Sequence, residues 1–288
     1  MQRRSILQLA VAGALASGVA LPAFAQQGHR PRRLTPGDTV ALVAPASVTY
    51  ESLELQLALE TLEAMGLKVK VGDHVMDRFG YLAGKDEDRA ADINAAFADT
   101  RIDAVFALRG GWGASRILPY LDFDVIRKNP KILLGYSDIT SLLNAVFAKT
   151  GLITFHGPNV MSRWNDFTHQ GMRRVLFEAR AEVYENPVIA DDDLVARDHR
   201  IQTITSGVAE GPLIGGNLTL MSALLGSPYL PSFSGAILFL EDVGEAIYRV
   251  DRMLTQLSLS GELRQVSGII FGHFTGVEPN PGLGNFAL

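Results

Sequence analysis

The sequence predicts an α/β protein in which a parallel sheet carries helices on both faces. Short, continuous apolar runs recur along the chain, which is typical of strands buried on both faces. Segments with apolar residues at helical spacing lie between these runs. Such alternation of strand and helix predicts a parallel sheet. Ligand sites in sheets of this kind gather at the carboxyl ends of the strands, so the residues that follow each run are the first candidates for function.

The amino-terminal half supplies most of the predicted sheet. Its strands are predicted at Thr39–Ala44, Lys68–Val71, Ala104–Leu108, Ile132–Leu134 and Leu152–Phe155. One helix is predicted from the recurrence of Leu55, Leu59 and Leu62 and ends at Gly66, a favourable residue after a helix. A second helix, Asp86–Ala98, begins with three acidic residues, which the positive end of the helix dipole stabilises.

The carboxyl-terminal half predicts a second, smaller domain of mixed α/β type. After Gly215-Gly216-Asn217 a helix with Leu218, Met221 and Leu225 inward is expected, followed by a strand at Ala236–Leu240. A further helix and the strand Gly268–Gly272 complete the pattern, and the Pro- and Gly-rich end shows no closing element. We predict an export signal at 1–25, a leader at 26–36, an α/β domain at 37–165, a connection at 166–206 and the second domain at 207–288, which looks incomplete.

Composition excludes several functional classes. The 288 residues are 47% hydrophobic and 20% charged, as in ordinary globular proteins, and the formal net charge is −5. Without a large basic block, nucleic acid is not expected as a partner. The absence of cysteine removes disulfides, thiolate nucleophiles and cysteine-bound metals. No two histidines have the spacing of a helical metal-binding pair.

The first 25 residues are typical of an export signal. Arg3 and Arg4 precede an apolar run, and Ala23-Phe24-Ala25 fits a cleavage site. The paired arginines resemble a twin-arginine signal. The alternative is a membrane anchor, but the run is shorter than the roughly 20 apolar residues that span a bilayer. We therefore expect an exported, periplasmic protein without a stable membrane span after cleavage.

Ser137 lies at the turn between a buried strand and an amphipathic helix. Ile139, Leu142, Leu143, Val146 and Phe147 share one face of that helix. Free N–H groups and the helix dipole favour an anion there, as at the nucleophilic serine of a G-x-S-x-G turn. Ile139 replaces the last glycine of that motif. The alternative is that Ser137 only caps the helix.

Three other strand ends carry candidate groups. Arg109-Gly110-Gly111-Trp112-Gly113 is either a tight turn or a loop whose N–H groups face a ligand. His156 follows the next strand, where it is either structural or in contact with substrate. Glu241 follows the strand of the second domain, where the alternative is a solvated loop acid.

Five motifs occur in an order that resembles the LD-carboxypeptidase family of serine peptidases, which includes muramoyltetrapeptide carboxypeptidases and microcin-immunity relatives. The motifs are LRGGWG, LLGYSDIT, FHGPN, GPLIGGNL and LFLEDVGE. The resemblance covers about Pro36 to Gly276. It implies a serine carboxypeptidase that cleaves an L,D-peptide bond and releases D-alanine from a peptidoglycan tetrapeptide.

The resemblance also implies roles for individual residues. Ser137 matches the nucleophile and Glu241 the acid of the triad. The oxyanion hole is expected from the backbone N–H groups of Gly111 and Asp138. Candidates for substrate binding are Arg109, Trp112, His156, Asn217 and Arg249. The resemblance implies a small peptide as the partner and neither a metal nor an organic cofactor, and a homodimer is the candidate assembly.

The base of the triad is the main departure from the family pattern. The family's histidine follows the segment matching GHFTG by some tens of residues, and His273 within that segment is a different position. A truncated sequence would explain this. A complete chain would either lack hydrolysis or use His156 instead. One alternative is therefore a muropeptide-binding protein that does not cut its ligand. Another, suggested by the immunity relatives, is a peptidase that acts on a microcin-like peptide-nucleotide, although the predicted export signal argues against a cytoplasmic target.

Overall fold

A computed structural model describes residues 28–181, 183–185 and 200–276. The first domain contains a five-stranded sheet in the order β2-β1-β3-β4-β5, and every pair of neighbours is parallel. The strands are β1 (Thr39–Val43), β2 (Lys68–Val71), β3 (Ala104–Ala107), β4 (Ile132–Gly135) and β5 (Phe155–His156). In this order the chain changes direction between β1 and β3, and ligands bind at such switch points.

Helices cover both faces of this sheet, as predicted. They are α1 (Ser52–Ala64), α2 (Asp86–Ala98), α3 (Phe123–Lys128), α4 (Thr140–Thr150) and α5 (Asp166–Leu176). Successive strand residues point to opposite faces, so β1 sends Ala41 and Val43 to the core under α2 and α4, and Val40 and Leu42 to the core under α1 and α5. The two apolar cores fix the carboxyl ends of the strands at one edge.

The second domain is a three-stranded parallel sheet, β6-β7-β8, with two helices. Its elements are β6 (Leu213–Asn217), α6 (Leu218–Leu224), β7 (Ile237–Val243), α7 (Ile247–Leu259) and β8 (Gly268–Thr275). A separate cluster, which includes Leu218, Leu238 and Leu240, forms its core. The predicted α/β architecture of two unequal domains is therefore confirmed.

Several boundaries differ from the sequence prediction. Gly215-Gly216-Asn217 does not merely precede a helix, because it forms the end of β6. The predicted strand Leu152–Phe155 is reduced to the two residues of β5. Helix α5 lies inside the predicted connection, yet Met172 and Leu176 are buried in the first domain. The leader also contributes to that core, since Leu34 is buried and its N–H donates to the Leu176 carbonyl.

No helix among the described residues combines the length and apolarity needed to cross a bilayer. The predicted export signal at 1–25 lies outside the described residues.

Candidate active site

Ser137 occupies a strained turn between β4 and α4. Its φ angle is 61°, in the left-handed region that residues with a side chain rarely adopt. Among the described residues other than glycine, only Ala179 shares this feature. A single turn of 3₁₀ helix, Ser137–Ile139, then leads into α4. Strain of this kind persists only where the surroundings enforce it.

The surroundings that enforce the turn are Gly135 and Asn159. A Cβ on Gly135 would lie 2.7 Å from the Ile139 side chain and 3.0 Å from Asn159 Oδ1, so the turn packs too tightly for a larger residue. Asn159 is buried, and its Oδ1 accepts the Tyr136 N–H at 3.3 Å. Asn159, in the FHGPN segment that begins on β5, therefore stabilises the serine turn that follows β4.

The glycine-rich loop after β3 lies directly against Ser137. A Cβ on Gly110 would sit 3.3 Å from Ser137 Oγ. Gly111 has φ +114, and a Cβ there would collide with Ser47 Oγ at 2.0 Å. Ser47 holds the loop in return, because its Oγ accepts the Trp112 N–H at 3.2 Å. Glycine is thus required by both close approach and backbone angle.

Two buried charged groups fix the far end of the same loop. Asp138 Oδ2 accepts the Ala114 N–H at 2.7 Å. Arg89, which is 2% exposed, donates to the carbonyls of Pro45 and Gly113 and pairs with Asp86. These contacts join the loop after β1, the glycine-rich loop and the serine turn into one rigid unit.

The backbone N–H groups of Gly111 and Asp138 donate to no protein acceptor within the described ranges. Both belong to segments that lie beside Ser137. Backbone donors held in place next to a nucleophile can stabilise an oxyanion. The arrangement is therefore compatible with the predicted oxyanion hole.

Glu241 reaches the same region from the second domain. It lies on β7, opposite Asn217 of β6. The Asn217 N–H donates to Thr140 Oγ1 at 3.0 Å, and Thr140 is three residues after Ser137. Asn144 of α4 also donates to the Gly215 carbonyl at 2.9 Å. The junction between the domains thus brings the carboxyl ends of β4 and β7 together.

His156 lies at the end of β5, next to β4 and close to Glu241 of the second domain. It pairs with Gly135 across β4 and β5, and its ring meets the Tyr136 ring edge-on at 6.3 Å. Its Nε2 lies 3.8 Å from Glu241 Oε1, which has no hydrogen-bond partner among the described residues. An imidazole therefore contacts the candidate acid, although it is not the family's base.

Burial shifts the pKa values of this pair in opposite directions. It raises the pKa of Glu241 to about 7, and the neighbouring Asp242 carboxylate adds to the rise. It lowers the pKa of His156 to about 4. Burial also raises the pKa of the Asp138 carboxyl, to about 6. Near neutral pH the imidazole is uncharged and can accept a proton or a hydrogen bond.

The residues predicted to bind substrate have different environments. Arg109 donates to the Val48 carbonyl at 3.0 Å, and Arg249 pairs with Glu245 at 2.6 Å. Asn217 is buried, and its amide is used inside the protein: Nδ2 donates to Asp242, and Oδ1 accepts the Leu220 N–H. Asn217 therefore supports the junction rather than presenting a free amide. Trp112 is 59% exposed at the rim of the loop.

Ser47, Arg89 and Asn159 were not predicted from the sequence. The i, i+3 pair of Asp86 and Arg89 was a visible signal, but it is common on exposed helices. Ser47 and Asn159 act on loops distant in sequence, which no local pattern reveals.

One group of side chains has the composition of a cation site. His74, Asp77 and Asp88 have potential ligand atoms within 4.8 Å of one another. His74 Nδ1 already bonds Asp77 Oδ2 at 2.7 Å. Because these groups satisfy one another, we assign no ion to them.

A strained serine after a parallel strand, with unpaired N–H groups beside it, is the arrangement expected of a serine hydrolase with an α/β fold. Comparisons with known proteins specify the family. Residues 40–157 match the LD-carboxypeptidase N-terminal domain, and residues 210–285 match the LD-carboxypeptidase C-terminal domain.

Individual relatives agree with this match. The chain is 40% identical to a probable murein peptide carboxypeptidase of Bacillus subtilis over 87% of this chain and 76% of that protein. A crystal structure of muramoyltetrapeptide carboxypeptidase from Oxalobacter formigenes superposes with a TM-score of 0.70 at 31% identity, covering 84% of this chain and 78% of that one. The apo structure of the microcin C7 self-immunity protein MccF gives 0.77 at 28% identity, covering 88% and 82%.

The chain therefore belongs to the LD-carboxypeptidase family. Its class is that of a serine-type carboxypeptidase, and the resemblance inferred from the five motifs is confirmed.

Proposed function

We propose that this protein removes the terminal D-amino acid, D-alanine, from a peptidoglycan tetrapeptide, with Ser137 as the nucleophile. The observation that carries the proposal is the strained φ of 61° at Ser137 beside a loop with unpaired N–H groups. The names of two relatives, murein peptide carboxypeptidase and muramoyltetrapeptide carboxypeptidase, support the substrate class.

In the proposed reaction, Ser137 Oγ attacks the carbonyl of the last peptide bond. The Gly111 and Asp138 N–H groups bind the oxyanion that forms, an effect worth roughly 3 kcal/mol per donor. An imidazole takes the serine proton and passes it to the leaving amine. Glu241 orients that imidazole, and its Oε1 has no other partner in the described ranges.

The imidazole has two candidate sources. One is a residue equivalent to the family's histidine, for which residues 1–288 contain no match. The other is His156, which already contacts Glu241. We propose further that the protein is exported, on the support of the paired arginines and cleavage site within residues 1–25.

The test is D-alanine release from a tetrapeptide, compared between the wild-type protein and Ser137→Ala. We expect release that Ser137→Ala abolishes; equal rates would remove Ser137 from its role. His156→Ala then distinguishes the two candidate bases. If His156 is the base, this variant should lose as much D-alanine release as Ser137→Ala does; otherwise it should lose less.

A fluorophosphonate probe separates an enzyme from a protein that only binds muropeptides. Covalent labelling that disappears in Ser137→Ala indicates an activated nucleophile. Binding of tetrapeptide without labelling would favour the binding protein.

A further inference from the structure

A cavity of about 600 Å³ lies between the two domains, beside β5 and α5. This volume is within the range of natural ligand pockets. Neither Ser137 nor Glu241 lines the cavity, so it is separate from these two candidate catalytic residues, although His156 forms part of its wall. Its other walls are mainly apolar and come from both domains, and they include Phe147, Ile153, Met172, Val175, Leu213 and Phe239.

The chain meets this cavity at the first described residue, Gly28, which forms part of the wall. A Cβ on Gly28 would lie 2.8 Å from the Ile153 side chain and 3.4 Å from that of Phe147, so the backbone there packs closely against apolar groups. The next residue is fixed to the first domain, because the His29 N–H donates to the Gly151 carbonyl at 2.9 Å and the His29 carbonyl accepts the Ile153 N–H at 3.0 Å. The residues that precede Gly28 therefore start at the cavity.

The segment before Gly28 has the composition to fill an apolar space. Residues 20–27 read ALPAFAQQ and contain no charged side chain, whose burial in such a space would be costly. Phe24 is four residues before Gly28, and four extended residues span at most about 14 Å. Burial of Leu21 and Phe24 would remove apolar surface of both the segment and the wall from water, which favours docking.

We propose that Leu21–Phe24 dock in this cavity when the chain retains residues 1–25. These four residues lie at the end of the predicted export signal, so the cavity is filled in the precursor and open once the signal has been removed. Docking keeps an apolar segment out of water while the protein is folded and not yet processed. The removal step rests on the proposed export of the protein, whereas docking itself depends neither on export nor on hydrolysis at Ser137.

The absence of cysteine from residues 1–288 allows a direct test, because introduced thiols are then the only ones. The full chain is produced without export, and its intact mass confirms that residues 1–25 are retained. Thr168 of α5 is partly buried and lines the cavity. In Phe24→Cys/Thr168→Cys we expect mild oxidation to form an intramolecular disulfide, which requires Cα atoms about 4.4–6.8 Å apart.

The matched control for the disulfide is Phe24→Cys/Ala95→Cys. Ala95 is exposed on α2, which covers the opposite face of the first-domain sheet from α5. This pair should remain reduced under the same conditions, because docking of Phe24 in the cavity keeps it away from α2.

A second measurement uses the rate at which a maleimide labels the single variant Thr168→Cys. We expect labelling to become at least about tenfold faster when Phe24→Asp is added, because the rate follows the population in which the cavity is open. Gln26→Asp adds the same charge at a polar position nearby and should leave labelling slow.

The alternative occupants of the cavity give different results. A disulfide between two molecules of Phe24→Cys/Thr168→Cys would mean that the segment of a second copy fills the cavity. Slow labelling with and without Phe24→Asp would mean that another part of the chain covers Thr168. Fast labelling in both cases, or equal disulfide formation with Ala95→Cys, would mean that the cavity is open. Each of these results would overturn docking of Leu21–Phe24 within its own chain and leave the proposed function to be judged by D-alanine release.

Discussion

Ser137 is held in a backbone conformation that opposes its own side chain. For residues with a Cβ, the left-handed region costs roughly 1–2 kcal/mol, whereas glycine adopts it freely. Nothing in the helix start requires this cost, because an ordinary N-cap has extended backbone angles. The strain therefore favours the hydrolase turn over the simple cap as the reason for a serine at 137.

Ser137→Gly should stabilise the protein by about 1 kcal/mol and abolish D-alanine release. Ser137→Ala keeps the Cβ and the strain, so its stability should stay close to that of the wild type. Urea denaturation measures both. Ala179→Gly is the matched control, because Ala179 has φ 50° outside the site; it should be stabilised similarly and remain active. A destabilised Ser137→Gly would contradict the assignment of strain.

Glu241 and His156 affect stability in opposite directions as pH changes. Folding raises the pKa of Glu241 to about 7, so the folded state binds more protons between pH 4.5 and 7 and stability falls as pH rises. Folding lowers the pKa of His156 to about 4, so stability rises with pH between 4 and 6.5. Below pH 6.5 the two contributions to the pH dependence of the free energy of unfolding largely cancel. Near pH 7 only the contribution of Glu241 remains.

Glu241→Gln should therefore be more stable than the wild type at pH 7.5 and close to it at pH 4.5. The gain is at most about 3 kcal/mol, since the buried carboxylate need no longer ionise. Urea unfolding at both pH values measures it, with Glu210→Gln as an exposed control in the same domain. A loss of stability at pH 7.5 would mean that the Glu241 carboxylate has a stabilising charged partner.

At the scale of secondary-structure elements, side chains from the turn before α4 and from α2 hold the glycine-rich loop in place. Asp138 accepts the Ala114 N–H, and Arg89 donates to the Gly113 carbonyl. Neither side chain needs to touch substrate to affect the reaction, because both set the position of the loop N–H groups. Their effect on catalysis is one of alignment.

Asp138→Ala should lower kcat by roughly 100-fold with a smaller change in KM, because a displaced loop misaligns the oxyanion donors. It should also cost about 1–3 kcal/mol, since the Ala114 N–H loses its acceptor. Asp138→Asn keeps an acceptor oxygen and should retain most activity and stability. Steady-state kinetics and urea unfolding test this; a fully active Asp138→Ala would show that the loop does not depend on that contact.

On the scale of the whole molecule, the site depends on the junction between the two domains. The first domain supplies the serine turn and the loop, and the second supplies Glu241. Thr140 joins them, because its buried Oγ1 accepts the Asn217 N–H across the junction. The relative position of the domains therefore decides the distance between acid and nucleophile.

Thr140→Val should lower both activity and stability, because the buried Asn217 N–H loses its acceptor and β6 shifts. The expected cost is about 1–3 kcal/mol. Thr150→Val is the matched control: Thr150 is also buried, and its Oγ1 accepts the Leu152 N–H at 3.1 Å within the first domain. The control should lose stability and keep kcat. Equal loss of kcat in both variants would contradict a specific role for the junction.

The sequence determined the alternation of strands and helices, because burial on both faces of a parallel sheet demands continuous apolar runs and helical faces demand a 3.6-residue period. It also indicated the candidate nucleophile and acid, because Ser137 comes shortly after the run Ile132–Leu134 and Glu241 directly after the run Ala236–Leu240. The structure corrects the second boundary, since β7 continues to Val243 and Glu241 lies within it. Helix α5 was missed because Met172 and Leu176 are its only buried residues, and most of its other positions are polar. The length of β5 was overestimated from the sequence, because it has two residues and not four. The length of an edge strand depends on how far it pairs with its one neighbour, which its own composition does not show.

Only the tertiary structure decided which polar residues meet. Ser47, Asn159 and Ser137 lie on three different loops, and their contacts depend on the order of strands in the sheet. The contact of His156 with Glu241 depends on how the two domains dock. Local sequence carries information about burial and backbone preference, which act over a few residues. Convergence of side chains from distant loops is set by packing of the whole core, and therefore it emerges only in the folded molecule.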